Sequence, residues 1–487
     1  MKKDSKLGLV PLIFLIIGSM IGSGVFGLPG EMAASTSAGA MLIGWLITGV
    51  GMVGMVMVFT NLSMRRPDLN SGIYSYARAG FGDYIGFNSA LGYWVSALLA
   101  NISYCVVIFN CLSYFFPVFD ASKPEGAHAQ IIAFIGGSVI IWVIFLLISR
   151  GIKQAAIVNI VVQVAKLLPI LFFIIVVIFV FHWKQFSSDF FGADSLHLDG
   201  TPLGGIGKQV TATMIVTLWC FQGIEGSVVV SERAKRRKDI GRSTVIGLVC
   251  ALLIYMMVSV MTQGYMSRAA AEGLPTPSMA YALEQMVGPG WGAVVIVGQL
   301  ISVCGALLGW TILASETFFV AAKEKTMPKF LAKENKRQAP INSALVSTLF
   351  LQAMMIVVLI NDSTYQMVYA ISTSTILLPY LFSCLYGFKL AATGVTYDAS
   401  PKGRTKDLIF GALASLYAIW MIYAAGLTYV LMAMILYAIG IILYIMVQKE
   451  NGRKLFNSAL EITIFSVITA AAIVAVVLLA TGVISWQ

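Results

Sequence analysis

The sequence predicts an all-α protein that crosses a membrane many times, and three observations predict it. Hydrophobic residues fill 59% of the 487 positions and charged residues only 11%, whereas a soluble domain carries about 25% charge. Uninterrupted apolar runs recur along nearly the whole chain, each close to the roughly 20 residues a helix needs to span the hydrocarbon core. Two of those runs, the first and the sixth, are interrupted in mid-course by glycines. With a mean hydropathy of +0.87, a water-soluble globule, a nucleic-acid binder and a disordered chain are excluded. No short strands of alternating polarity suggest a barrel.

Hydropathy places thirteen spans, at 8–34, 40–62, 86–116, 129–148, 154–181, 206–230, 243–263, 291–321, 341–360, 365–391, 407–425, 427–447 and 458–483. The last is the weakest, because Glu461 stands near its start. Of the 32 lysines and arginines, all but Lys123, Lys184, Lys208, Arg268 and the intramembrane Lys166 fall in alternate loops that include the N-terminal segment. That bias puts the N-terminus in the cytoplasm and explains the net charge of +10 without any polyanionic partner. The first apolar run is too long for a cleavable signal peptide. The six cysteines all lie inside apolar runs without metal-ligand spacing and read as small packing residues. The three histidines lie at or beyond span ends, which argues against a histidine proton relay.

The interruptions are Gly18-Ser19-Met20-Ile21-Gly22-Ser23-Gly24-Val25-Phe26 in span 1 and Trp219-Cys220-Phe221-Gln222-Gly223-Ile224-Glu225-Gly226 in span 6. They occupy matching places in two five-span blocks, the pattern of an inverted-repeat transporter with its site near the bilayer midplane. Tight helix packing alone would explain the glycines but not their matching positions. The chain therefore divides into a first repeat (1–181), a second (206–391) and accessory C-terminal spans (407–487). Broken helices expose main-chain polar groups that lipid cannot satisfy. A half-helix N-terminus near Ser23, Gly24 and Val25 suits a carboxylate, and carbonyls near Trp219, Cys220 and Gln222 suit an ammonium group. Such a pair fits the two charged ends of an α-amino acid.

Ionisable residues inside a span are costly and are candidates for function. Lys166 shares a helical face with Asn159 and Gln163; it reads as a titrating group, as a fixed cation in place of a metal ion, or as a bond to span 1 carbonyls. Glu225, within the span 6 break, reads as a gate, a proton carrier, a partner for a cationic substrate, or a carboxylate held by helix N–H groups. Glu316 does not share a face with Trp310 and reads as a packing or inner-half residue. Tyr93, Ser96, Asn101 and Tyr104 form a polar face in span 3, and Ser372 and Tyr380 are eight apart in span 10.

Gly22-Ser23-Gly24-Val25-Phe26, Leu218-Trp219 with Gly223-Ile224-Glu225, Gly309-Trp310-Thr311 and Pro379-Tyr380-Leu381 resemble the amino acid–polyamine–organocation superfamily. The stretches Lys6–Ala34, Arg66–Trp94 and Lys402–Gly426 bring the chain closest to its basic amino acid/polyamine antiporters, the arginine/ornithine antiporters of bacteria in particular. The resemblance implies a leucine-transporter-type fold of ten helices in two inverted repeats, plus C-terminal extras, in the bacterial cytoplasmic membrane. It implies that Ser23 and Gly24 bind the substrate carboxylate, and that carbonyls near Met20, Ile21 and Trp219 take its amino group. By the same resemblance Asn101, Gln222, Trp310 and Ser372 contact the substrate side chain. Trp219 closes over the substrate; Tyr93, Glu225 and Tyr380 form a cytoplasm-side gate; Lys166 stands where related transporters hold sodium.

The expected function is exchange of a cationic amino acid for its catabolic product, arginine for ornithine. Alternatives are an exchanger for a decarboxylation pair (histidine/histamine, lysine/cadaverine, arginine/agmatine) and a proton-coupled importer. An enzyme is not expected: the chain has no HExxH or G-x-S-x-G motif and no histidine within the spans. Nor does it carry a repeated filter segment of a channel. No cofactor or metal is expected. The expected partners are amino acid and amine substrates and membrane lipid, with no nucleic acid, and a homodimer is left open.

Overall fold

The computed structural model describes residues 8–69, 72–120, 122–126, 128–151, 155–225, 235–360, 365–398 and 402–484. The side chains of Asn159 and Gln163, and residue Gly226, lie outside the described residues, so the polar stripe and the end of the second interruption do too. Among the described residues every regular element is helical, apart from an isolated bridge between Leu196 and Pro202.

The helices are α1 (Leu9–Met20), α2 (Gly24–Ser35), α3 (Ala38–Arg65), α4 (Ile73–Phe81), α5 (Asp83–Ser113), α6 (Ala129–Ser149), α7 (Ala155–Phe179), α8 (Trp183–Ser187) and α9 (Ile206–Phe221). They continue as α10 (Arg237–Val260), α11 (Arg268–Glu272), α12 (Ser278–Val287), α13 (Gly292–Lys323), α14 (Ile341–Ile360) and α15 (Tyr365–Thr393). The C-terminal part is α16 (Arg404–Ala424), α17 (Leu427–Ile439), α18 (Ile441–Glu450) and α19 (Ala459–Ala480). Among the described residues ten helical segments are long and apolar enough to cross a bilayer, and the bent pair α1 and α2, taken as one span, makes an eleventh. The other two expected spans coincide with shorter apolar helices, Ala165–Phe179 and Ile206–Phe221.

Burial sorts the helices into an inner and an outer set. In α5 and α15, 83% and 78% of the apolar window is enclosed by protein, against 22% in α6 and 17% in α19. The outer helices turn valine, isoleucine and leucine outward, as at Val139, Leu146, Val467 and Ile473, which is stable only against lipid. Inner helices approach closely through small residues: Gly51 of α3 takes the ring of Tyr417 and Gly92 of α5 takes the hydroxyl of Tyr437. The α5 helix packs on both α13 and α15, and α3 packs on α9, α10 and α16.

Glu461 caps a helix and does not break one. It is fully buried, and its carboxylate accepts the N–H groups of Tyr84 at 2.9 Å and Asn457 at 2.7 Å. Ser458 accepts the N–H of Glu461 in turn, at 3.2 Å. Ser458 thus caps the start of α19, Glu461 reaches back past it to the Asn457 N–H, and the same carboxylate satisfies the first turn of α5.

Candidate substrate site

Both interruptions break their helices. Between α1 and α2 the chain runs through Ile21, Gly22 and Ser23, with Ile21 extended (φ −77°, ψ 95°), and the two half-helices are bent by 49°. After α9 the chain is extended at Gln222 (φ −60°, ψ 128°) and turns at Gly223 with φ +104°. Only glycine meets both demands at 223: the angle is left-handed, and a Cβ there would lie 2.5 Å from the Ser19 carbonyl oxygen. The breaks are joined by Ser19, whose hydroxyl lies 2.8 Å from the Ile16 carbonyl and 3.1 Å from that of Gly223.

Lys166 crosses from α7 and donates to the carbonyls of Gly18 and Ile21, both at 2.7 Å. The lysine, only 4% exposed, thereby pairs with main-chain oxygens that the end of α1 leaves free. Of the readings open from the sequence, the structure shows the bond to span 1 carbonyls. One consequence concerns Ile21: its carbonyl already accepts from Lys166, which leaves it at most one further lone pair.

Between the breaks lies a cavity lined by Ser19, Met20, Gly22, Ser23, Gly24, Val25, Tyr104, Trp219, Cys220, Gln222 and Trp310. Its volume is about 10 Å³, the room of roughly one water molecule. This conformation is therefore closed around the site, and admitting an amino acid requires its aromatic walls to move. Trp219 stacks on Tyr369, with ring centroids 5.3 Å apart, and leans on Tyr104 at 6.0 Å. A Cβ on Gly24 would stand 2.9 Å from the Trp219 ring, so the glycine is what lets the main chain of α2 and the indole meet.

Beside the cavity, Asn101 and Gln222 each have one half of the amide engaged. Asn101 Nδ2 donates to Thr311 Oγ1 at 2.9 Å, and Thr311 spends its own proton on the Leu307 carbonyl at 2.7 Å. Gln222 Nε2 donates to Ser96 Oγ at 2.6 Å, while Ser372 Oγ donates to the Ser96 carbonyl at 2.8 Å. Because Thr311 can only accept here, its chain fixes which end of the Asn101 amide is the oxygen. Asn101 Oδ1 and Gln222 Oε1 are both buried without a hydrogen-bond partner. Asn101, Ser372 and Ile21 are not in the cavity wall; Met20, Ser23, Gly24, Trp219, Gln222 and Trp310 are.

The expected gate residues meet. Glu225 Oε2 accepts from the Tyr380 hydroxyl and from the Gly223 N–H, the latter at 3.2 Å. The Tyr93 hydroxyl lies near the same carboxylate without closing a hydrogen bond, and Glu225 Oε1 is unpartnered. Tyr93 also faces Trp310, with centroids 6.4 Å apart. Glu316 lies elsewhere, in a separate pocket with Arg150, Lys336 and Arg337.

Residues 7–428 match the amino acid permease family. The chain belongs to that family. It is 43% identical to the arginine/ornithine antiporter of Pseudomonas aeruginosa over 97% of both chains. It is 38% identical to the arginine/agmatine antiporter of Chlamydia caviae, over 99% of this chain and 98% of the relative. It is also 38% identical to an L-lysine transport protein of Corynebacterium glutamicum, over 97% and 95%. Together with the apolar helices, this places the permease in the bacterial inner membrane as a multi-pass protein.

Two participants escape the sequence reading. Ser19, which ties the breaks together, looks there like one more small residue in a glycine-rich run. Glu31, in α2, is an acid inside the first span; the rule that flags Lys166 and Glu225 points to it equally.

Proposed function

We propose that this permease is an alternating-access antiporter that exchanges arginine for ornithine across the cytoplasmic membrane, a carrier and not a catalyst. The observation that carries the reading is the set of unpartnered acceptors around the breaks. Asn101 Oδ1, Gln222 Oε1 and Glu225 Oε1 are buried oxygens without donors, and a guanidinium or ammonium group is a donor without acceptors. A cationic side chain therefore relieves what the closed protein leaves unsatisfied, at low dielectric cost. The main chain at Ser23, Gly24 and Val25 takes the substrate carboxylate, and the remaining lone pairs near Met20, Ile21 and Trp219 take the amino group.

Arginine and ornithine each carry one positive side chain, so one-for-one exchange moves no net charge and is insensitive to the membrane potential. The relatives named for arginine, ornithine, agmatine and lysine handle molecules of the same donor-rich kind.

The two-repeat division supports alternating access. Exchanging each of the first five spans for its counterpart among the next five maps packed helix pairs onto packed pairs. The contact of α5 with α15 becomes that of α13 with α7; α1 with α10 becomes α9 with α3; α5 with α6 becomes α13 with α14. In this division 1–181 and 206–391 form the moving machinery, and 407–487 is an accessory layer.

The test is counterflow in proteoliposomes. Labelled arginine enters vesicles loaded with ornithine and does not enter empty ones. Entry into empty vesicles under a pH gradient supports a proton-coupled importer instead, and strict dependence on loaded agmatine supports a decarboxylation-pair exchanger.

A further inference from the structure

Glu31 carries a buried carboxyl group that the binding and gating scheme does not use. Both of its carboxylate oxygens are sealed from solvent, and neither has a hydrogen-bond partner. Arg268 of α11 does not pair with it: Nη1 donates to the Ala33 carbonyl at 2.8 Å and to Glu272 at 2.7 Å, and the buried Nε has no partner. Ser278, which packs against α2 from α12, is spent on the Gly27 carbonyl and the Gly30 N–H, both at 2.9 Å. An unpaired carboxylate at membrane depth is a standing cost that a protein keeps for a ligand or an ion.

Its position is specific. Glu31 follows Gly24 by seven residues, which is about 20° short of two turns and about 10 Å along the helix. It therefore stands over the face through which Gly24 meets Trp219 and lines the cavity. Cys220, another cavity residue, meets the same face: its Sγ would stand 3.3 Å from a Cβ on Gly24. Gly27 makes the place for it: a Cβ at residue 27 would collide with Glu31 Oε1. With the N-terminus in the cytoplasm, α2 leads outward from the break, and α9 packs along it on that side.

We infer that Glu31 is an outer-half counter-ion, a waypoint that pairs with the positive side chain of a substrate entering from the extracellular side before it settles at the breaks. The inference rests on the exchanger reading and adds a sidedness to it. Opening of α2 from α9 uncovers the carboxylate, the substrate cation supplies the missing donors, and closure behind the substrate returns Glu31 to the sealed state.

The experiment measures arginine KM on each face, in right-side-out and inside-out membrane vesicles loaded with ornithine. Wild-type exchange is the first arm; arginine entry into vesicles without counter-substrate defeats the exchanger reading while leaving the two-sided comparison intact. In Glu31→Gln the external KM is expected to rise roughly tenfold or more, the cost of losing one charge-assisted pair, with the internal KM unchanged. The carboxylate has no partner in the closed form, so this substitution breaks no internal bond. Glu31→Asp, which keeps the charge one methylene further back, is expected to raise external KM less; should Glu31→Gln not fold, this variant carries the test on the same two faces. An unchanged external KM, or an equal rise on both faces, overturns the inference.

Discussion

At the first break the exposed carbonyls of Gly18 and Ile21 are bonded by Lys166, a side chain from a distant helix. At the second the chain closes on itself: Gly223 turns through φ +104° and its N–H is accepted by Glu225, two residues on, which also accepts from Tyr380. One break is held from outside by a lysine side chain, the other by a local carboxylate tied to a tyrosine of α15. The difference is one of reach: the first break is tied to α7, and the second to its own carboxylate and to one hydroxyl from α15.

The largest effect expected from breaking this contrast is at Lys166. Lys166→Ala removes two hydrogen bonds from a charged donor, about 3 kcal/mol or more in a buried setting. It is expected to abolish exchange and to lower the melting temperature of the detergent-solubilised protein; an unchanged melting curve would show that the first break holds itself. Next comes Gly223→Ala, which forces a side chain into a left-handed turn against the Ser19 carbonyl. A strain of about 1–3 kcal/mol is expected to reduce the exchange rate at least severalfold, with a smaller change in melting temperature than at Lys166.

Glu225→Gln sharpens the comparison further. The amide keeps the shape and an acceptor for Tyr380 but loses the charge, so exchange is expected to fall by about tenfold while thermal stability stays near that of wild type. Glu225→Ala and Trp310→Ala are expected to abolish exchange with the fold largely retained, as circular dichroism and size-exclusion chromatography would check. The smallest effect is expected at the lipid-facing surface. Val467→Ala and Ile473→Ala, on exposed positions of α19, should change stability by only about 0.5 kcal/mol and leave transport rates untouched.

Much of the fold is legible in the sequence because lipid imposes a simple rule: a span must be apolar, helical and about the right length. Every expected span has a helix at its place, including the one that starts beside Glu461. The breaks are legible for a related reason, since glycines gathered in mid-span weaken a helix where nothing else requires them. What the sequence leaves open is the partner across space. It shows Lys166 inside a span but not its register against α1, so the bonds to Gly18 and Ile21 could not be read from it. Asn101 and Gln222 stand out as polar residues, yet which amide atom is satisfied depends on Thr311 and Ser96 from other helices. Glu31 follows a short Gly-Leu-Pro-Gly run, and α2 continues through it to Ser35; that its carboxyl lacks a partner depends on contacts from other helices that the sequence does not show.

The most direct test of the central claim is a cryo-electron microscopy map of the permease with arginine bound. The account predicts arginine's carboxylate at the main chain of residues 23–25, its amino group toward the carbonyls of Met20, Ile21 and Trp219, and Trp219 and Trp310 displaced from their present closure. Arginine bound elsewhere, or at this place with α1–α2 and α9 continued as unbroken helices, would contradict it.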